Sequence, residues 1–217
     1  MTRILYIEAS PRGEASFSSR AAAAFLDAYR AQHPADEVDH LPLFEAELPA
    51  FGREGASQKM VHIARLITEG KGLEGSGEWA GVIAAIERFR SADKVLISSA
   101  MWNFSIPYPL KHYIDLICQP GLTFAVNRRG EYVGMVKGKP MQLILARGSE
   151  YRPGFPAADD GTKTDFQHAY LLHIARLLGF EDIRSLLLQP TEARGAQHAD
   201  AMLAAALEEA RQAAATF

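Results

Sequence analysis

Five short segments typical of β-strands alternate along this chain with longer segments typical of α-helices. Two of the strand segments, "KVLISS" and "MQLILA", are apolar on both faces, as expected for strands that helices cover on both sides. This alternation implies right-handed crossovers and a parallel sheet. We therefore predict an α/β protein with a doubly wound five-stranded parallel sheet of order 2-1-3-4-5. The predicted strands are Ile4–Glu8, Glu37–Leu41, Lys94–Ser99, Met141–Ala146 and Ile183–Leu188.

Helical patterns fill the intervals between these strands and the end of the chain. No internal repeat and no long low-complexity linker divides the sequence, so a single domain covering residues 1–217 is predicted. The connection from residue 42 to 93 is unusually long for this architecture, and its role is left open. The predicted helices are Ser19–Gln32, Gln58–Thr68, Trp79–Arg90, Pro109–Cys118, Asp165–Leu178 and Ala196–Ala214.

Charge and composition exclude several classes of partner. The 23 basic and 26 acidic residues are spread along the chain with a net charge of −3, so no basic block indicates nucleic-acid binding. No run of apolar residues is long enough to span a membrane, and the N-terminal apolar run is too short for a signal peptide. The single cysteine, Cys118, fits a reducing cytoplasm, which is the expected location.

In an open parallel sheet, ligands bind at the carboxyl ends of the strands, where the strand order reverses. Here that point lies between the first and third predicted strands. Three loops leave the sheet close to it: Ser10–Ser18, Ala100–Tyr108 and Arg147–Gly154.

The first loop, "SPRGEASFSS", is rich in hydroxyl groups and is followed at once by a helix. A helix N-terminus favours an anion, and serine hydroxyls can donate hydrogen bonds to phosphate oxygens. The sequence equally allows a simpler interpretation, in which Ser18 or Ser19 only caps the helix.

The second loop contains "MWNF" and two prolines. Its large side chains could form walls for a flat, mostly apolar ring system, or they could pack into the protein core. Asn103 is less easily explained in a buried loop, because a buried amide requires hydrogen-bond partners.

The third loop, "ARGSEYRPG", is small and polar, and Gly148 would allow a close approach of the backbone. Turn formation alone could also explain this composition. Taken together, however, the three loops describe a site for a mononucleotide with a flat ring, and FMN is the predicted cofactor.

Other motifs give no support to a different chemistry. "GKGLEG" at residues 70–75 matches a dinucleotide-binding pattern but follows a helix rather than a strand, so a flexible loop is predicted. Cys118 lacks the arginine that a phosphatase loop requires, and an inert thiol is expected. The seven histidines show no tight metal-binding spacing, and no metal site is predicted.

Three segments in this order, "SPRGEASFSSR", "MWNFSIPYPLKHYIDLICQPGLTF" and "LARGSEY", resemble the FMN-dependent NADH-azoreductases. These are homodimeric flavoproteins of flavodoxin-like fold that also reduce quinones. The most specific part is residues 101–124, where the family commonly has M-Y-N-F, an L-K-x-Y-x-D helix and G-V-T-F. The matching residues here are Met101, Trp102, Asn103, Phe104, Leu110, Lys111, Tyr113, Asp115, Gly121, Leu122, Thr123 and Phe124.

The resemblance implies that residues of all three loops contact FMN. The backbone amides of Asn103 and Phe104 are expected to act catalytically, by stabilising charge on the reduced ring. Two departures stand out: Trp102 replaces a common tyrosine, and residues 146–149 replace a frequent S-R-G-G. The implied FMN contacts are Ser10, Ser16, Phe17, Ser18, Met101, Trp102, Asn103, Phe104, Ala146, Arg147, Gly148 and Ser149.

The function implied is an FMN-dependent oxidoreductase that takes hydride from NADH and passes two electrons to quinones or azo compounds, in a ping-pong scheme. The alternative is a flavodoxin-type one-electron carrier, although such carriers tend to be more acidic than this chain. NADPH is not excluded as the co-substrate, and Arg12, Arg147 and Arg152 are the candidates for contact with its 2′-phosphate. A homodimer is expected.

Overall fold

The computed structural model describes residues 1–151 and 165–217, and its centre is a five-stranded parallel sheet. The strand order is 2-1-3-6-7 by position among all strands, which is the predicted order 2-1-3-4-5 once a separate two-stranded hairpin is set aside. The predicted fold class is therefore confirmed. The strands are β1 (Arg3–Ala9), β2 (Glu37–Pro42), β3 (Lys94–Ala100), β4 (Phe124–Val126), β5 (Tyr132–Gly134), β6 (Met141–Ala146) and β7 (Ile183–Leu188).

Helices cover both faces of the sheet, and a short 3-10 turn at Gly13–Ala15 precedes the first of them. No helix within the described ranges is long and apolar enough to cross a membrane. The helices are α1 (Phe17–Gln32), α2 (Arg53–Glu69), α3 (Gly77–Ser91), α4 (Tyr108–Ile117), α5 (Phe166–Leu178) and α6 (Ala196–Ala214).

Two apolar layers hold these helices on the sheet. Because successive side chains of a strand point to opposite faces, β1 contributes to both layers. Ile4 and Tyr6 pack with α1 and α6, whereas Leu5 and Ile7 pack with α3, α4 and α5. A sheet buried on both faces explains why its central strands are apolar throughout.

The strand register brings the predicted loops to one edge. Ala9 of β1 lies opposite Ser99 of β3, and Ala100 lies opposite Ala146 of β6. Ala146 is in turn paired with Leu188 of β7. The carboxyl ends of four strands are therefore level, and the loops that follow β1, β3, β6 and β7 leave the same edge.

Most elements lie within two residues of their predicted bounds, and two larger differences occur. The β4–β5 hairpin was not predicted, and α2 begins at Arg53 rather than at Gln58. The long connection after β2 is filled by α2 and α3, which pack against each other. Glu78 of α3 accepts hydrogen bonds from the backbone N–H groups of Gly52 and Gly55, at 2.8 and 2.7 Å, and so fixes the start of α2.

Candidate functional site

The loop after β1 ends in a capped helix. The Ser16 hydroxyl accepts a hydrogen bond from the Ser19 backbone N–H at 3.2 Å, and the Ser16 carbonyl accepts one from the Arg20 N–H at 3.0 Å. Among the described residues, no hydrogen bond is recorded for the other two first-turn amides, those of Phe17 and Ser18. The N-terminus of α1 thus combines capping, one of the two interpretations of this loop, with donors suited to an anion.

The serine hydroxyls of this loop also provide O–H donors. Ser10, Ser16 and Ser18 are 7%, 3% and 0% exposed. The Ser16 and Ser18 hydroxyls hydrogen-bond to each other at 3.1 Å, which uses only one of their two protons. The Ser10 hydroxyl accepts from the Arg12 N–H at 3.4 Å, which leaves its own proton free. Three buried side chains therefore supply two O–H donors beside the α1 amides.

The loop after β3 forms a two-residue hairpin turn. The backbones of Trp102 and Ser105 exchange two hydrogen bonds of 2.9 Å. Between them, Asn103 and Phe104 have φ values of +46° and +69°. Two positive φ values are what a type I′ turn requires, and glycine or asparagine is the usual choice there. Phenylalanine in this conformation stores strain of about 1–3 kcal/mol, which is typical of ligand-contacting segments.

The large side chains of this turn lie at the surface. Trp102 and Phe104 are 37% and 50% exposed, so the alternative in which this loop packs into the core is wrong. Asn103 is exposed too, in agreement with the expectation that its amide fits poorly in a buried loop. Its conformation gives a second reason for asparagine, since asparagine tolerates a positive φ better than most residues.

Aromatic neighbours extend this surface. The ring of Phe44, in the segment after β2, lies 5.4 Å from that of Trp102 and 6.0 Å from that of Tyr108. Tyr108 is 71% exposed. Sequence reasoning missed Phe44, because only the tertiary structure brings the ends of β2 and β3 together.

The loop after β6 is anchored to the segment after β7. The carbonyls of Arg147 and Gly148 accept hydrogen bonds from the backbone N–H groups of Thr191 and Glu192, at 2.8 and 3.0 Å. A Cβ atom on Gly148 would lie 3.1 Å from a Glu192 carboxylate oxygen, so a side chain at this position would have little space. Residues 152–154 of the predicted loop lie outside the described residues.

The Arg147 side chain is buried rather than exposed. Its Nη1 lies 3.0 Å from Asp165 Oδ2, and its Nε donates to Gln167 Oε1 at 3.1 Å. Burial lowers the pKa of the guanidinium, against the effect of the Asp165 carboxylate. A buried, ion-paired guanidinium is not free to bind a 2′-phosphate, so that suggestion is wrong for Arg147. Arg152 lies outside the described residues.

The predicted residues that the structure describes thus meet at one edge of the sheet. They provide N–H and O–H donors at the start of α1, an exposed aromatic turn after β3, and a backbone after β6 that is anchored to the segment after β7. This arrangement fits a mononucleotide with a planar ring.

The "GKGLEG" segment is not part of the three loops, and its role is to pack against a buried histidine. His62 of α2 is 1% exposed, and its Nδ1 accepts a hydrogen bond from the Leu73 N–H at 2.9 Å. Its Nε2 lies 2.9 Å from the Pro120 carbonyl oxygen. A Cβ atom on Gly72 would lie 2.2 Å from the His62 ring, so glycine is needed here to pack against histidine.

Cys118 lies at the end of α4, away from the three loops. Burial raises the pKa of its thiol to about 12, so the thiolate is not formed near neutral pH. Within the described ranges, no group of three or more His, Cys, Asp or Glu side chains could hold a metal ion.

Comparison with known proteins agrees with this geometry. Residues 2–214 match the family model described as flavodoxin-like fold. The chain is 46% identical over 220 residues to an FMN-dependent NADH:quinone oxidoreductase of Nitratidesulfovibrio vulgaris, covering 100% of both proteins. A protein of the same name from Desulfotalea psychrophila is 38% identical, over 96% of this chain and 94% of that one.

Solved structures give the same result. An azoreductase from Bacillus anthracis superposes with a TM-score of 0.83 at 29% identity, with 100% of each chain covered. An FMN-dependent NADH-azoreductase from the same organism, solved in complex with FMN, has a TM-score of 0.81 at 25% identity, over 100% of this chain and 99% of that one. The chain belongs to the flavodoxin-like family that contains the FMN-dependent NADH:quinone oxidoreductases and azoreductases.

Proposed function

We propose that this protein is an FMN-dependent NADH:quinone oxidoreductase that also accepts azo compounds. The observation that carries the proposal is the alignment at one sheet edge of phosphate donors at α1 and an exposed, strained aromatic turn after β3. The names of the relatives support the same activity, cofactor and co-substrate.

The site residues divide between the two ends of the cofactor. We propose that the phosphate lies against the α1 amides and the hydroxyls of Ser10, Ser16 and Ser18. The ring would lie against the turn at residues 101–104 and the backbone of residues 146–149. When bound, FMN supplies the two-electron redox chemistry that joins NADH oxidation to acceptor reduction.

The protein's own contribution is to position the reactants and to stabilise charge. Among the described residues, the backbone amides of Asn103 and Phe104 have no recorded hydrogen-bond partner, because the turn is closed by Trp102 and Ser105 instead. Fixed N–H groups of this kind stabilise negative charge without having to reorganise. The exposed rings of Trp102 and Phe104 would exclude water from one side of the reactants.

We propose a ping-pong scheme, in which NADH and the acceptor occupy the same surface in turn. This explains how one site can serve both, without a separate dinucleotide-binding motif. The test is stopped-flow mixing of flavin-loaded protein with NADH alone. Full bleaching of flavin absorbance in the absence of acceptor is expected, whereas a reduction that requires bound acceptor would contradict the scheme.

Steady-state kinetics would test substrate choice. We expect turnover of a quinone and of an azo dye with NADH, and the same assay with NADPH decides the co-substrate preference. The one-electron carrier is the competing function. A radical that accumulates during reductive titration, together with no turnover of either acceptor, would favour the carrier.

We further propose a homodimer located in the cytoplasm. Exposed apolar side chains beside the site, above all Tyr108, favour a second chain as cover. Sedimentation equilibrium should give twice the chain mass of 23.8 kDa. A monomer at micromolar concentration would contradict the dimer but not the activity.

A further inference from the structure

The exposed turn after β3 places its two large side chains on opposite sides of that strand. The Phe104 ring lies 6.4 Å from the ring of Tyr151, which follows β6. The Trp102 ring instead lies 5.4 Å from the ring of Phe44, which follows β2. Because β1 lies between β2 and β3 in the sheet, the Phe44–Trp102 contact spans the carboxyl end of β1. The loop that leaves this end carries the proposed phosphate donors, so the contact borders the proposed site.

Phe44 is held in a fixed position at this border. The Ala46 backbone N–H donates to the Pro42 carbonyl at 2.9 Å, so a closed turn surrounds Phe44. Leu43, the residue before it, is 3% exposed and anchors the turn in the core. Phe44 itself is half-buried, whereas Trp102 is 37% exposed. Phe44 is therefore placed to hold the indole of Trp102 in one orientation.

A third ring completes this aromatic cluster, which consists of Phe44, Trp102 and Tyr108. The Tyr108 ring lies 6.0 Å from the Phe44 ring, at an interplanar angle of 76°, and 6.3 Å from the Trp102 ring. Tilted and edge-to-face contacts of this kind are the favoured packing of aromatic rings. Since Trp102 is supported by two rings and still partly exposed, it offers an aromatic surface of fixed orientation to a ligand.

We propose that Phe44 is a positioning residue that orients Trp102, and that the Trp102 ring binds the second ring of acceptors built from two linked aromatic rings. This inference rests on the proposed function. Consecutive Cα atoms are about 3.8 Å apart, so Trp102 lies directly beside the Asn103 and Phe104 amides that are proposed to stabilise the charge of reduction. An azo compound has a ring on each side of its N=N bond, whereas benzoquinone has one ring. The Phe44–Trp102 pair is thus expected to favour the azo compound.

The experiment measures acceptor preference in the flavin-loaded protein. Phe44→Leu removes the ring but keeps an apolar side chain. We expect kcat/KM for the azo dye methyl red to fall about two- to tenfold, the effect of one lost aromatic contact, while kcat/KM for benzoquinone is unchanged. Phe44→Tyr keeps the ring and should retain the wild-type preference. In a ping-pong scheme, kcat/KM for the acceptor reports only the half-reaction of that acceptor.

Iodide quenching of tryptophan emission gives a measurement that does not depend on turnover. The chain has two tryptophans, and the other one, Trp79, is 0% exposed. Iodide is charged and reaches only exposed indoles, so its effect on the apoprotein reports Trp102. Phe44→Leu should increase the quenching, and Phe44→Tyr should not. Circular dichroism checks that both variants remain folded.

A double-variant cycle tests whether Phe44 acts through Trp102. Trp102→Ala alone should lower kcat/KM for methyl red selectively. Adding Phe44→Leu to this variant should cause no further loss, because a support and the residue that it supports are not independent.

A matched control removes a similar ring contact at the other end of β3. The Phe217 ring meets the Phe25 ring at 5.2 Å and 71°, and it lies 5.2 Å from Nζ of Lys94, the first residue of β3. Phe217→Leu should leave the acceptor preference and the iodide quenching unchanged. A change in preference in this variant would mean that the assay reports general loosening of the fold.

The possible failures can be told apart. A wild-type protein that does not bind FMN, or that reduces neither acceptor, contradicts the proposed function itself. If the wild type reduces both acceptors but Phe44→Leu affects them equally, or affects neither, Trp102 does not bind a second ring. A selective loss without a change in iodide quenching, or one that adds to the loss in Trp102→Ala, would mean that Phe44 does not act through Trp102. Should Phe44→Leu not fold, Phe44→Met takes its place.

Discussion

At the scale of single residues, the site depends on side chains in environments that their type does not normally occupy. Phe104 has a positive φ, and Trp102 is exposed, although both are large and apolar. Arg147 is buried, although it is charged. The turn residues could be located from sequence because their composition is unusual. The burial of Arg147 could not, since its partners Asp165 and Gln167 lie beyond the next loop.

Two substitutions at Asn103 can separate the effect of its backbone conformation from the effect of its side-chain amide. Asn103→Ala removes the amide and also places alanine at a φ of +46°, so we expect FMN affinity and turnover to fall together. Asn103→Gly removes the amide but accepts this φ, and it should give a smaller loss. FMN titration of the two variants measures the difference. If the glycine variant binds FMN as tightly as the wild type, the side-chain amide is not a binding group.

At the scale of helices and strands, the sequence predicted most of what positions the site. Met141–Ala146, Ile183–Leu188 and Ala196–Ala214 have the predicted bounds, because each lies between clear breaks in the sequence. The β4–β5 hairpin was missed since its strands have three residues each, too few for alternation to be visible. The start of α2 was missed because its first turns are mostly polar and exposed.

Ser16 at the start of α1 is expected both to cap the helix and to bind the FMN phosphate. One substitution can separate these two functions. Ser16→Asp keeps a good N-cap, so the unfolding free energy of the apoprotein should change by less than about 0.5 kcal/mol. Its carboxylate would repel the FMN phosphate, so FMN affinity should fall at least tenfold. Riboflavin, which lacks the phosphate, should bind no worse than to the wild type. An equal loss for both ligands would contradict the phosphate assignment.

The "GKGLEG" segment gives a prediction about stability alone. Gly72→Ala should destabilise the protein by about 1–3 kcal/mol, because the new methyl group would overlap the buried His62 ring. Lys71→Ala, at the exposed neighbouring position, serves as the control and should have little effect. Urea unfolding measures both. Loss of FMN affinity by the Gly72→Ala variant while it remains folded would argue against a purely structural segment.

At the scale of the whole molecule, the fold is held by two apolar layers and by ion pairs that tie the sheet to its helices. Asp39 of β2 is 13% exposed at its side chain and accepts hydrogen bonds from Arg88 of α3 and Arg3 of β1, at 2.9 and 2.7 Å. These contacts involve the first halves of β1 and β2 and the C-terminal part of α3, and no sequence motif connects the three residues.

This cluster predicts how stability depends on pH. Hydrogen bonds from Arg88, together with the charges of both arginines, lower the pKa of Asp39 in the folded protein. The unfolded chain therefore binds more protons below about pH 4, the ordinary aspartate range, and the stabilisation is lost as the pH falls through the lowered pKa. Urea unfolding between pH 7 and pH 3 measures the loss. Asp39→Asn should reduce its slope, whereas Asp27→Asn, at an exposed position, should not.

The turn closed by Trp102 and Ser105 is held by its own two backbone hydrogen bonds. A binding site that already has its final shape loses little conformational entropy when the ligand binds. Uptake of FMN by the apoprotein should then follow a single exponential whose rate rises linearly with FMN concentration, with no slow saturating phase.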